Sequence, residues 1–496
     1  MRGGFLAVRA LLALGLMAGF YTLAIAVAGL LFYLPYAEVV YLHRLDIRIA
    51  LAAVVTGCVI LWSIVPRPDR FVEPGPELKP ADQPEFFKLI DSVASRTKQR
   101  MPAHVYLVLD VNAWVTQRGG FMGLGSRRVM GVGLPLMQAL TVDQLRAVLA
   151  HEFGHYHGGD TMLGPWIYKT RASIIRTIVR LQNNAAAFIF IAYAKLFLRI
   201  TNAISRAQEF AADALAARVT HPVSMIEGLK RVERAAPAFR TFWTAVYAPA
   251  LSYRVLPPLA GGFTNFLQHP SIAAQVDDIL SKKLASSVSN AYDTHPPLAE
   301  RVSALNRIAA PGNSGQAADE RPAAELLNDG PRLEGELLHF VVPKLSSAKP
   351  VEWDDVPMQV WLPQWRKLVD TQRAALSGIT VGGLAEAVNR AGEIGRRIQF
   401  NAGYLPSIEQ RQTQTYILLA RALAVALCNA GWTLCGGLNE LPQVRRDEES
   451  INIMNTVGEL RKRTISPAAW VERCERLGIS ALPLVAPAAE STSASA

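Results

Sequence analysis

Cysteine is scarce in this chain, with four in 496 residues. Cys58 lies in an apolar run, while Cys428, Cys435 and Cys474 fall late and have no zinc-knuckle spacing. That usage excludes a disulfide framework and fits a reducing compartment. Also lacking is any basic motif interleaved with aromatic residues. The net charge of +10 is spread along the chain, so nucleic acid is excluded as a partner and a membrane surface is the acidic partner that remains. Histidine is nearly as rare, nine in all, which makes any histidine cluster informative.

Charge itself is missing from two stretches. Ala10 to Leu34 is 25 residues without a charge, and Ile49 to Val65 is 17, closed by Pro66. The first can cross a hydrocarbon layer about 30 Å thick with some tilt; the second is at the lower limit of a span. Arg2 and Arg9 ahead of the first run raise the possibility of a secretory leader. Its apolar run is much longer than the roughly 7–15 residues of a leader core, and a second run follows directly. The expectation is an uncleaved anchor over residues 1–68 with spans at about 10–34 and 49–65. The 50% hydrophobic content and positive mean hydropathy agree. Arg44 and Arg48 between the runs are offset by Glu38 and Asp46, while Arg67, Arg70, Lys79 and Lys88 follow. The positive-inside rule then favours both ends in the cytoplasm.

Against this background His151-Glu152-Phe153-Gly154-His155 stands out. HExxH on a helix sets two histidines at i and i+4, on one face, where both reach a single zinc ion while the Glu acts as general base on water. With so few histidines the pattern arises by chance in roughly one such chain in a hundred. Thr141 and Gln144 read as a capping box, and Leu145, Val148 and Leu149 supply the apolar stripe of the helix. Gly158-Gly159 should end it. The plainer alternative makes His151 and His155 hydrogen-bonded core residues. His157, at i+6 and i+2, points to another face and is left out of the metal set.

A zinc hydrolase needs a third protein ligand and an open position for water. Glu209 and Asp213 are again i and i+4, within Ser205-Arg206-Ala207-Gln208-Glu209-Phe210-Ala211-Ala212-Asp213. Glu209 can be that ligand, and Asp213 can hold the ring N–H of a ligating histidine. Alone, the pair reads equally as two acids on a solvated helix face.

Together these motifs resemble the integral-membrane zinc peptidases that include HtpX and the CAAX prenyl proteases. Thr294-His295-Pro296-Pro297-Leu298-Ala299-Glu300-Arg301 is similar to that family's downstream THP…R element. Asn112-Ala113-Trp114 resembles its upstream NAF/NAW element, and Asp160 takes its acidic position after the zinc helix. The resemblance covers about Pro102 to Leu305. It implies one zinc ion per chain held by His151, His155 and Glu209, Glu152 as catalytic base, and His295 or Arg301 as candidates to stabilise the oxyanion. It also implies substrate contact at Asn112, Ala113 and Trp114, and an integral protein of the bacterial inner (cell) membrane with its catalytic domain cytoplasmic. Loop rigidity from Pro296 and Pro297, or pairing of Arg301 with Glu300 or Asp293, would explain the last two residues without catalysis.

The fold class expected is mainly α with a small β-sheet: an α+β zincin-type catalytic domain at 69–308, the N-terminal helical hairpin, and a mostly helical C-terminal domain. Val105–Val111 and Arg128–Gly133 have strand character and are joined by the glycine-rich stretch Gly119–Gly125. A strand beside the zinc helix takes an extended substrate by edge pairing, or is simply a packed hairpin. An insertion at 161–202 starts as a basic amphipathic helix suited to an anionic membrane face. Its second part, Ala185 to Ala194, is too short to span and is expected to be buried or interfacial. Residues 309–332 read as a linker, 333–484 as the C-terminal domain, and 485–496 as a disordered tail. Tyr416 to Leu434 is expected as a core helix, with a membrane span as the alternative.

These features point to a membrane-anchored zinc endopeptidase whose partners are the bilayer and membrane-associated or misfolded protein substrates. The alternatives are CAAX-type processing, or a non-catalytic scaffold or chaperone that retains a zinc site. A closed structural site has no need of Glu152.

Overall fold

A computed structural model describes residues 2–67, 71–119, 125–156, 164–286, 290, 292–308, 318–342, 345, 348–400, 406–438 and 440–486. The chain divides into two compact units. One is Met1–Phe239 with Ala274–Val341; the other is Arg240–Ala273 with Val342–Ala496. This division differs from the boundaries expected from composition. Part of the segment read as a linker packs in the first unit, where Ala323 is buried and its N–H donates to the Leu140 carbonyl at 2.9 Å. Polar, Pro-rich composition signals irregular backbone, not absence of packing.

In the first unit, α1 (Arg2–Leu42) and α2 (Ile47–Ile64) form the expected hairpin. Asp46 caps α2 by accepting from the N–H groups of Arg48 and Ile49, which replaces hydrogen bonds the first turn cannot make internally. Two more helices follow the metal motif: α6 (Gly164–Arg180) and α7 (Ala187–Val219). Met17, Phe20, Ala24, Ala28, Ile60, Ile174, Phe190 and Phe197 from all four helices share one apolar cluster. Here the expectation for Ala185–Ala194 is overturned. That run is only the start of a continuous 33-residue helix, one of three long and apolar enough to cross a membrane. Counting apolar residues stopped at Lys195, but a helix continues through Lys and Arg, whose stems lie along apolar surface.

A four-stranded sheet lies upstream of the motif, with β1 (Glu77–Leu78), β2 (His104–Val108), β3 (Ala113–Arg118) and β4 (Arg127–Gly133) in the order β1-β2-β4-β3. β2 runs parallel to β4, and β3 antiparallel. The glycine-rich stretch therefore joins β3 to β4, not β2 to β4 as the sequence suggested. Next come α3 (Pro84–Thr97), whose Phe86, Leu89, Ile90 and Val93 face the core, α4 (Leu134–Ala139) and α5 (Val142–Gly154).

The second unit is mostly helical with a three-stranded antiparallel meander. Its centre is the helix Ile408–Asn429, started by a Ser407/Gln410 capping box. Leu419, Leu423 and Leu427 on it pack in one core with Trp432 and Trp470. The core-helix reading of Tyr416–Leu434 is therefore right in kind, though the helix ends at Asn429 and Thr433–Cys435 is a strand.

Candidate metal centre

α5 carries the first two candidate ligands. Its N-terminus is the capping box expected: Thr141 Oγ1 accepts from the Gln144 N–H, and Gln144 Oε1 from the Thr141 N–H at 3.1 Å. The helix closes at Gly154 with His155 as its cap. The expected stop at Gly158-Gly159 lies outside the described residues, as do His157 and Asp160.

What brings α7 to α5 is the absence of a side chain at Gly154. A Cβ there would sit 2.9 Å from Ala212 Cα, so the two backbones meet at a distance only glycine against alanine allows. Ala212 is fully buried at this contact, and Ala216, one turn further along α7, is fully buried as well. Glu209 and Asp213 are thereby placed against the histidines.

The geometry is tight. His151 Nε2 lies 3.5 Å from Glu209 Oε2, and His155 Nε2 lies 3.6 Å from Glu209 Oε1. One donor atom from each of the three residues falls within 4.8 Å of the others, the one such group among the described residues. His151 Nδ1 stands 2.9 Å from Asp213 Oδ1, off the ideal hydrogen-bond line. Arg301, on the helix Leu298–Leu305, grips Asp213 with Nε and Nη2 at 2.8 and 2.6 Å. It is only 9% exposed, so its guanidinium is committed to Asp213 and not to open solvent. His295 is different: Nδ1 is 3.0 Å from Glu209 Oε1, and its side chain is 66% exposed.

The donor set fits zinc, which takes imidazole nitrogens and carboxylate oxygens together. Buried Glu209 Oε2 has no hydrogen-bond partner, with Arg301 Nη2 no nearer than 3.5 Å. A carboxylate oxygen in that state is costly unless a cation takes it. Burial lowers His155 to about 4, aided by the neighbouring His151, which keeps its imidazole neutral. At His151 burial opposes charge, yet contact with Asp213 and Glu209 prevails and raises it to about 9. Burial raises Glu152 to about 7, against the pull of His151 and with Glu209 adding to the rise. A base poised near neutrality suits proton transfer at physiological pH.

The upstream element behaves differently. Trp114 lies opposite Gly131 on β4, its ring where a Gly131 Cβ would stand, and packs with Tyr106, Val108 and Val129. Its ring is thus packed against the sheet, while Asn112 is exposed just before the strand and Ala113 is buried at its start. Sequence reasoning missed β3 itself. The alternation of Ala113, Val115 and Gln117 with Trp114, Thr116 and Arg118 was its signal. It also missed Tyr156, whose hydroxyl donates to the Val115 carbonyl at 2.9 Å. No spacing rule marks that residue.

Comparison with known proteins agrees with this arrangement. The model for Peptidase family M48 matches residues 80–309. A protein named Protease HtpX homolog from Gemmatimonas aurantiaca is 28% identical over 252 residues, 46% of this chain and 77% of its own length. The namesake from Salinibacter ruber is 26% identical over 47% of this chain and 77% of its own. That from Nostoc sp. is 26% identical over 53% and 95%. No solved structure matches. Candidate ligands from α5 and α7 in the order His, His, Glu, on a domain attached to apolar helices, agree with these likenesses: residues 80–309 are similar to peptidase family M48, and the chain resembles the HtpX-type proteases.

Proposed function

We propose that this protein is a membrane-anchored zinc endopeptidase that cleaves membrane-associated or misfolded polypeptides, with one zinc ion held by His151, His155 and Glu209. The observation that carries the reading is the convergence of those three donors around a buried carboxylate oxygen without a hydrogen-bond partner. Bound zinc supplies Lewis acidity, lowering the pKa of water and polarising a scissile carbonyl. The chain's own groups do the rest. Glu152 accepts the proton of the attacking water and passes it to the leaving amine. Asp213 sets the ring of His151, since a carboxylate on the second nitrogen fixes tautomer and orientation. Arg301 is assigned a positioning role through Asp213, in place of the oxyanion contact the sequence allowed for. His295 is the oxyanion candidate, because its exposed ring is open to a carbonyl oxygen gaining charge.

The outer edge of β3 holds the substrate in extended form, through backbone bonds that carry little sequence selectivity. The Lys and Arg residues flanking the first two spans support a cytoplasmic centre on what we read as a bacterial inner membrane. The test compares wild type with Glu152→Gln for zinc content and for cleavage of an unfolded protein. Stoichiometric zinc in both, with cleavage only in wild type, is expected. Equal cleavage, or no zinc in wild type, overturns the reading.

A further inference from the structure

β3 is the last strand of its sheet, so one of its edges pairs with β4 and, among the described residues, the other pairs with no strand. The Asn112 carbonyl accepts from the Gly133 N–H at 2.9 Å, on the β4 side. Backbone groups alternate along a strand, so those of Ala113, Val115 and Gln117 point to the outer edge. The contact at Val115 agrees independently. Its carbonyl is the acceptor of the Tyr156 hydroxyl, and Tyr156 directly follows the second zinc-ligand candidate.

Tyr156 is held on three sides. The Arg128 guanidinium lies 4.4 Å from its ring centroid, and Gln99 Nε2 donates to its carbonyl at 3.2 Å. The third side is the Val115 bond itself. A phenol fixed this way does not yield its acceptor readily, because a substrate amide must displace both the bond and the cation–π contact. The outer edge therefore offers an incoming strand both groups of Ala113 and the N–H of Val115, and then an occupied carbonyl.

We propose that Tyr156 is a specificity-determining stop on the substrate-binding edge, ending backbone pairing at Val115 and so limiting how many substrate residues are held on that side of the scissile bond. The proposal rests on the peptidase reading above. It explains why the metal helix is tied to the edge strand by a side chain that carries no metal. It also places a length limit, not a side-chain preference, in the selectivity of the enzyme.

The test is a backbone N-methyl scan of a cleaved peptide with the full-length, zinc-loaded protein, comparing wild type with Tyr156→Phe. In wild type, N-methylation of the amide facing Val115 has no effect, because no bond is made there. In Tyr156→Phe the freed carbonyl accepts that amide. KM then falls by about 2- to 10-fold, the change expected for one added hydrogen bond, and N-methylation restores the wild-type value. Tyr156→Leu, which also lacks the donor, gives the same profile, and stoichiometric zinc reports an intact centre in both variants. Identical scans in wild type and variants, or a fall in kcat at constant KM, overturn the proposal and make Tyr156 a plain support of the zinc helix. Cleavage of no peptide by zinc-loaded wild type overturns the peptidase reading itself, an outcome the scan separates from the first.

Discussion

Asp213 and Arg301 form a pair whose removal should be felt at the metal although neither is a candidate ligand. Asp213 is 2% exposed and receives two hydrogen bonds from Arg301, itself 9% exposed. Taking away one partner leaves a buried charge uncompensated, which costs about 3–5 kcal/mol. Asp213→Ala also deprives His151 Nδ1 of its acceptor at 2.9 Å, and losing such a contact lowers metal affinity about 10- to 100-fold. Arg301→Met keeps Asp213 beside His151, so its effect on zinc should be smaller than its effect on stability. The double variant Asp213→Leu/Arg301→Met removes both charges, and its cost should fall well short of the sum of the single ones. Zinc competition against a fluorescent chelator, with thermal unfolding of the same detergent-solubilised samples, measures all arms. Additivity within about 0.5 kcal/mol would refute the coupling. So would unaltered zinc affinity in Asp213→Ala.

Gly154→Ala should force α5 and α7 apart, costing about 1–3 kcal/mol and weakening zinc binding; unchanged affinity in a titration would show that the close approach does not set the centre. Thr141→Ala removes the cap of α5 and should lower stability by about 1 kcal/mol in a denaturant series. A chelator should abolish cleavage and added zinc restore it, since the ligands are protein side chains in exchange with solution. In the second unit, Leu423→Ala opens a cavity at a fully buried site and should cost about 2–5 kcal/mol by calorimetry; a loss under about 1 kcal/mol would show that this helix is not the core of its unit.

Much of the site was legible because its determinants are local. The i, i+4 spacing of His151 with His155, and of Glu209 with Asp213, is a property of one helix turn, and the Thr141/Gln144 cap is made within four residues. The apolar runs of α1 and α2 are equally local. Long-range pairing was less legible. β3 escaped notice because six residues with a half-exposed face carry a weak periodic signal, and its partner is set by a chain reversal through glycines. α7 was read as too short because charge interrupts hydropathy without interrupting a helix.

The sequence by itself marked the candidate chemistry: which residues could bind zinc, which carboxylate could act as base, and which helices are apolar enough to cross a membrane. Tertiary structure decided the roles that depend on distance. It tied Arg301 to Asp213 88 residues away, left His295 exposed beside Glu209, and closed the Val115 carbonyl with Tyr156. Spacing along a chain fixes neighbours only within a helix turn or a strand pair. Which buried charge meets which is settled when α7 packs against α5 at Gly154 and against the helix Leu298–Leu305.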